Sequence, residues 1–398
     1  MDTKTILDAA KQLKNQIISH RRKLHQNPEV GSHLPQTTAY VLQQLKALGY
    51  EPQEICDSGI VATITGKETG KCILLRADMD ALPIFENTQL DFRSVNQAMH
   101  ACGHDMHTAM LLGAAALLQQ HRQDLDGTVK LVFQPNEEGF TGAKDMISAG
   151  VLESPTPQAG LAVHVHSGTP SNLVLCGSGT FMSGCSVFRI TVSGTSCHGS
   201  MPETGVDPIN IAAHIYLGLH ALISREISPT TPAVITVGKI LSGDAPNVIP
   251  GEAVLEGTIR TFDSQVAHTT LRRIGEMAQN IASAFRGRAT VEKLSGVPSL
   301  LNDPKLMTQM KGYVQELFGE SSVVSLNEGG MGSEDFAVYS REIPCAYLLL
   351  GAGSKDENSL FGKPMHNEQV IFNEDILVSG AAMEAFCAIQ WLKGSRKD

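Results

Sequence analysis

Residues 99–108 read MHACGHDMHT, which sets three histidines, one cysteine and one aspartate directly before the apolar run 109–118. His100, Cys102 and His104 are spaced two apart, so an extended approach would point all three to one side, and Gly103 lets the backbone bend. A thiolate and an imidazole from one short loop suit a borderline-soft divalent ion such as zinc, although imidazole also serves iron, nickel, manganese and copper. Histidines near a helix start are often hydrogen-bonding residues, and cysteine is often a small core residue. The density of such groups here favours a metal site over either.

More groups of the same kind stand at the ends of predicted strands, where α/β sheets place their active sites. Asp78 and Asp80 follow a strand at 72–76, Glu137 and Glu138 follow one at 128–134, and His164 and His166 end one at 161–165. His366 lies in a Pro-Met-His-Asn loop before the last helix. Each has an ordinary structural reading by itself, but together they converge. Neighbours on a regular strand face opposite sides, yet Pro135 and Gly139 flank the glutamate pair, so a turn can aim both carboxylates inward. One carboxylate on a metal and one left free is the arrangement hydrolysis needs, since a metal acidifies its water and a free glutamate takes the proton. Which glutamate does which stays open at this point.

The elements that must position these groups follow from periodicity. Helices are expected at 5–25, 108–125, 142–152, 208–224, 266–285 and 374–391, and strands at 60–65, 72–76, 128–134, 161–165, 186–192, 233–240, 253–260, 289–293 and 346–350. Strands alternating with helices imply an α/β sheet with a largely parallel core. The order from residue 186 to 293 is instead the split βαβ pattern of a small two-layer domain. A catalytic domain of residues 1–182 and 294–398, interrupted by an inserted domain at 183–293, accounts for both.

With 398 residues, two domains are the natural expectation. A net charge of −10 argues against a broad nucleic-acid or anionic-membrane surface, which would demand clustered Lys and Arg. The eight scattered cysteines show no paired zinc-finger spacing. The N-terminal residues lack the pattern of a signal peptide, and no run approaches the ~18 apolar residues of a membrane span. A cytoplasmic protein with free thiols is the expectation.

The strings HRRKLHQNPEVG, LLRADMDALPI, MHACGHDMHTAMLLGAA, LVFQPNEEG, NVIPGEAVLEGTIRTFD, MGSEDFAVYS and MHNEQVIFNEDIL, in this order, resemble the amidohydrolase branch of the aminoacylase and carboxypeptidase (M20-type) superfamily. That branch includes hippurate hydrolases, indole-acetyl-amino-acid hydrolases and N-acetyl-diaminopimelate deacetylases. The resemblance implies a zinc-exopeptidase-like α/β domain with an inserted ferredoxin-like α+β lid that also dimerises. It implies Cys102, His104, Glu138, His164 and His366 as ligands of two divalent ions, manganese or zinc foremost and cobalt or nickel as options. It implies Glu137 as general base and Asp78 as an orienting group, with Arg76 where the wider superfamily keeps a histidine ligand. In the lid, His198 matches an oxyanion-stabilising histidine, and Asn247 and Arg260 match substrate contacts, a guanidinium being suited to grip an α-carboxylate. Cys197 stands where a glycine is common, and His166 where the branch usually has no histidine.

The resulting expectation is a homodimeric enzyme hydrolysing N-acyl amino acids to a carboxylic acid and a free amino acid. A peptidase acting on unblocked peptides and a metal-binding homologue without catalysis are the alternatives.

Overall fold

The computed structural model of the protein describes residues 2–67, 70–327, 329–354 and 361–394. It forms two compact units, Met1–Phe181 with Leu301–Glu328 and Asp335–Asp398, and Met182–Leu300 with Gly329–Glu334.

In the larger unit, eight strands lie in the order Gln53–Cys56, Gly59–Thr65, Thr128–Gln134, Cys72–Asp78, Ala159–Pro170, Cys345–Gly353, Val174–Cys176, Val323–Ser325. The central four run parallel, and Gly59–Thr65 pairs antiparallel with Thr128–Gln134. Every residue of Cys72–Asp78 and Thr128–Gln134 is buried, as expected of strands covered on both faces. Helices His104–Gln120 and Ile376–Lys393 pack in this core, and both are apolar nearly all round, the signature of a helix without a solvent face. Ile376–Lys393 is the one helix among the described residues long and apolar enough to cross a membrane, but its Leu377, Met383, Phe386 and Ile389 are buried here.

Several local expectations change. The expected opening helix 5–25 is two helices, Thr3–Gln12 and Lys14–His25, broken at Leu13, with Ile6 and Ala10 of the first and Ile17 of the second in the same core. The helix expected from residue 108 starts at His104, because Gly103 takes the left-handed conformation (φ 91°) and turns the chain into it one residue after Cys102. Helices Pro35–Ala47 and Pro304–Phe318 were absent from the periodicity reading, though each has proline in its first turn, where the missing N–H costs nothing.

In the smaller unit, an antiparallel sheet has the order Ala233–Ser242, Glu252–Thr261, Gly184–Ser193, Arg288–Val297. With helices Pro208–Ala221 and Ser264–Ala284 the chain order is β-α-β-β-α-β, the ferredoxin-like pattern. Asp207 and Asp263 cap the two helices, each accepting from two backbone N–H groups. Alternate residues Phe188, Ile190 and Val192 face Ile211, Ile215 and Ile274 in a separate core. The fourth strand outruns the expected 289–293 and passes a bulge between Lys293 and Ser295. A short ribbon joins Cys197–His198 to Val248–Ile249. The fold is therefore a mixed, mostly parallel α/β sheet unit interrupted by a small α+β unit.

Candidate metal centre

The parallel strands of the larger unit end beside the start of helix His104–Gln120, and this edge carries the chemistry. Strand Cys72–Asp78 ends in Asp78, strand Thr128–Gln134 leads into the glutamate pair, and His164 sits midway along Ala159–Pro170. The turn after Gln134 is sharp: Asn136 and Phe140 both take positive φ (55° and 61°), so Glu137 and Glu138 leave the strand alternation. His366 also has positive φ, 63°, and its N–H donates to the carbonyl of Ala101, which pins its loop against the Cys102 segment. A non-glycine residue held in that region is a costly conformation that clusters at functional sites.

All five candidate ligands meet. Cys102, His104 and His164 form one group and Cys102, Glu138 and His366 another, with ligand-type atoms in each within 4.8 Å of one another. Cys102 Sγ lies 3.6 Å from His164 Nε2 and 3.3 Å from His366 Nε2, which is itself 3.3 Å from Glu138 Oε1. His104, Glu137 and Glu138 form a third group, with Glu137 Oε2 4.0 Å from His104 Nε2.

The surroundings orient these atoms. His104 Nδ1 donates to the carbonyl of Asp80 at 2.8 Å and His164 Nδ1 to that of Val165 at 2.6 Å, which leaves each Nε2 as the lone-pair nitrogen. The Asp80 carboxylate accepts from the N–H of Glu137 at 3.0 Å and of Glu138 at 3.1 Å, so one side chain anchors the turn that carries both glutamates. Asp78 takes a different post: its Oδ1 accepts from His107 Nδ1 at 2.5 Å, its Oδ2 from Arg76 at 2.6 Å, and its Oδ2 is 3.7 Å from His104 Nε2. His107 Nε2 accepts from the Val165 N–H, so both its ring nitrogens are engaged. Asp105 pairs with buried Arg21 and His25, each at 2.8 Å.

The electrostatics are those of a site built around positive charge. Burial pushes the Cys102 thiol up and the His164 ring down. His366 is raised to about 10 by hydrogen bonding to Cys102 and Glu138. Burial alone would raise Asp78, but Arg76, His104 and His107 hold its carboxyl well below the usual range. His104 Nε2 and Glu138 Oε1 are buried without a hydrogen-bond partner, although His366 lies close to the latter. Orphaned buried atoms of this kind are rare unless something else binds them. A thiolate, three imidazoles and a carboxylate fit a divalent transition ion.

The remaining candidates belong to the smaller unit. His198 and Asn247 are exposed neighbours on the short ribbon, where the Gly199 N–H donates to the Asn247 carbonyl at 2.8 Å. The His198 ring accepts from the Ser200 N–H at 3.2 Å. Half-buried Arg260 directs Nη1 to the Met331 carbonyl and Ser333 Oγ, both at 3.1 Å. His166 joins none of the ligand groups and bonds Thr169 Oγ1. Sequence reading passed over the anchoring role of Asp80, and over Gln134 and Asp335 altogether. The Asp80 signal was its place two residues after Asp78 in RADMDALP; Gln134 and Asp335 offered none, being brought to Arg76 only by the fold, the first by strand pairing and the second by a 3-10 turn.

Residues 74–388 match peptidase family M20/M25/M40. The chain is 36% identical over 384 residues to IAA-amino acid hydrolase ILR1-like 2 of Arabidopsis thaliana, covering 95% of this chain and 85% of that protein. It is 37% identical over 342 residues to N-acetyl-L-cysteine deacetylase of Bacillus subtilis, covering 85% and 81%. It is 34% identical over 398 residues to thermostable carboxypeptidase 1 of Saccharolobus solfataricus, covering 97% and 99%. The solved structure of the Bacillus subtilis YXEP protein, a dinuclear metal binding peptidase of the M20 family, matches with a TM-score of 0.80 at 31% identity, covering 97% of this chain and all of that one.

Proposed function

The chain belongs to peptidase family M20/M25/M40, and from that premise we propose that it hydrolyses the amide bond of N-acyl amino acids. The observation that carries this is Glu137: a buried carboxylate beside the ligand groups, next in sequence to the carboxylate that joins Cys102 and His366. A metal store has no use for it, whereas hydrolysis needs a base there. Relatives of this chain carry the names of a deacetylase and an amino-acid hydrolase acting at such amides.

Two divalent ions, manganese or zinc, would be held by Cys102, Glu138 and His366 and by Cys102, His104 and His164, with Cys102 common to both groups. When bound, such ions polarise an amide carbonyl and acidify a water molecule. Glu137 then removes a proton from the attacking water through Oε2, the oxygen on the His104 side, and delivers it to the leaving nitrogen. Asp80 keeps both glutamates aimed, and Asp78 holds His107, whose other nitrogen fixes the strand carrying His164. In the smaller unit, read here as a lid and dimerisation element, His198 stabilises the developing oxyanion and Asn247 and Arg260 hold the substrate carboxylate. The enzyme is taken to be a cytoplasmic homodimer.

The test is a panel of N-acetyl, N-benzoyl and free dipeptide substrates with the manganese- or zinc-reconstituted protein. N-acyl amino acids are expected to be preferred. The name of thermostable carboxypeptidase 1 keeps a second reading in play, and preference for free dipeptides would overturn the first in its favour. Glu137→Gln is expected to keep bound metal and to lose at least 1000-fold in kcat, about 4 kcal/mol of transition-state stabilisation. Near-normal turnover would refute the base assignment.

A further inference from the structure

Behind Glu137 lies a buried polar network of which the mechanism has used only Asp78. Arg76 is its centre. Its Nη1 donates to Asp78 Oδ2 at 2.6 Å, its Nη2 to Asp335 Oδ1 at 2.8 Å and its Nε to Gln134 Oε1 at 3.1 Å. Gln134 Nε2 donates in turn to both Asp335 oxygens at 2.7 and 2.9 Å, and the Ala143 N–H donates to Oδ2 at 2.9 Å. Asp78, Gln134 and Asp335 are fully buried and Arg76 nearly so. The carboxylate of Asp335 is thereby gripped from three directions, by strand Cys72–Asp78, by strand Thr128–Gln134 and by the start of helix Gly142–Ser148.

That grip fixes the backbone of Asp335, the first residue of a 3-10 turn, and its N–H donates to Glu137 Oε1 at 3.3 Å. The other oxygen, Oε2, is the one on the His104 side. We infer that Asp335, clamped by Arg76 and Gln134, is a positioning residue that selects which oxygen of Glu137 exchanges the proton. Burying one cation and two carboxylates costs more than a packed apolar cluster of similar volume would, so fold stability alone is a weak reason for the network. Aiming a carboxylate is a sufficient one, since a displacement of about 1 Å at a reacting group costs on the order of 100-fold in rate. The inference rests on Glu137 being the base.

The test compares Asp335→Asn, Gln134→Glu and the double variant in the metal-reconstituted full-length enzyme, using the best N-acyl amino acid substrate of the wild type. Asp335→Asn turns an amide N–H2 onto groups that donate, and Gln134→Glu sets a carboxylate against a carboxylate. Each is expected to lower kcat about 10- to 100-fold, with KM and bound metal within about twofold of wild type. The double variant exchanges amide and carboxylate while conserving their charge beside Arg76, and it is expected to recover most of the loss. Wild-type kcat in Asp335→Asn, loss of metal in step with activity, or a folded double variant that recovers nothing would each overturn the assignment. Should Asp335→Asn not fold, Arg76→Lys serves instead: it retains charge but loses the fork that reaches Gln134 and Asp335 together, and undiminished kcat there overturns the assignment equally. Glu137→Gln is the reference. If that variant is active the base reading itself fails, whereas an inactive Glu137→Gln beside a fully active Asp335→Asn removes the positioning role alone.

Discussion

Replacing Asp80 tests the anchoring of the glutamate turn, because the carboxylate that anchors it is distinct from the carbonyl that takes the His104 hydrogen bond. Its carboxylate accepts the N–H groups of Glu137 and Glu138, whereas its carbonyl accepts His104 Nδ1 at 2.8 Å and survives any side-chain change; Oδ1 lies farther from that nitrogen, at 3.4 Å, and only this weaker contact is lost with the side chain. In Asp80→Ala two hydrogen bonds to a charged acceptor disappear, each contributing about 1.5–3 kcal/mol. The Glu137 N–H is buried and left without a partner, while that of Glu138 is half-buried and partly rescued by water. The expected loss is therefore about 3–5 kcal/mol, large against a total stability of roughly 5–15 kcal/mol. Asp80→Asn keeps one acceptor oxygen and should lose about half as much. Turnover should fall on the order of 100-fold in Asp80→Ala, because both glutamates lose their common anchor. Urea unfolding followed by circular dichroism gives the first quantity, and steady-state kinetics with metal analysis the second. A stability within about 1 kcal/mol of wild type, with kcat within about 10-fold, would refute this account of the turn.

Gly103→Ala should fail at the ligand loop, because φ is 91° there and a Cβ would stand 2.4 Å from Val165 Cγ2; reduced metal affinity measured by competition with a chelator is the expected result, and wild-type affinity the refuting one. Glu384 is buried with Oε2 unpartnered, and burial raises its carboxyl well above the ordinary range. An acid whose folded value is raised contributes a penalty that is absent below its unfolded value, about 4.3, and grows as pH rises above it. Glu384→Gln should therefore match wild type in urea at pH 4 and exceed it at pH 8, and equal midpoints at both would contradict the burial of a protonated carboxyl.

The ligand edge was legible in the sequence where its residues follow strands with unmistakable apolar runs, as with Thr128–Gln134 before the glutamate pair, whereas His164 sits midway along a longer strand than its apolar run suggested. The α+β order of the smaller unit was legible because its central strands, Gly184–Ser193 and Glu252–Thr261, alternate with burial. Helices Pro35–Ala47 and Pro304–Phe318 were missed for different reasons: the first has weak periodicity, whereas the second carried both a start signal, Pro304 after the N-cap Asp303, and buried Leu306, Met310, Val314 and Leu317 at helical spacing. Leu13 carries no breaker, so the split of the opening helix had no local sign. The Arg76, Gln134 and Asp335 network was invisible for a deeper reason. Gln134 and Asp335 lie 201 positions apart, and nothing local to either announces the other.

The pairing of strand Cys345–Gly353 with Ala159–Pro170, beginning at Gly160 opposite Cys345, sets an order in time. Cys102, His104, Glu138 and His164 all leave the ribosome before the smaller unit is made, yet the sheet that supports His164 on its far side cannot close until that unit has been synthesised. Closing so long a loop adds little to the equilibrium cost, which grows only with the logarithm of length, but it delays the native contact. A nascent chain therefore contains Cys102, His104 and His164 before the strand that flanks His164 and the loop that carries His366 have been made. Assembly of the proposed metal centre is consequently paced by the arrival of the last strand and the His366 loop, long after the other candidate ligands have been made.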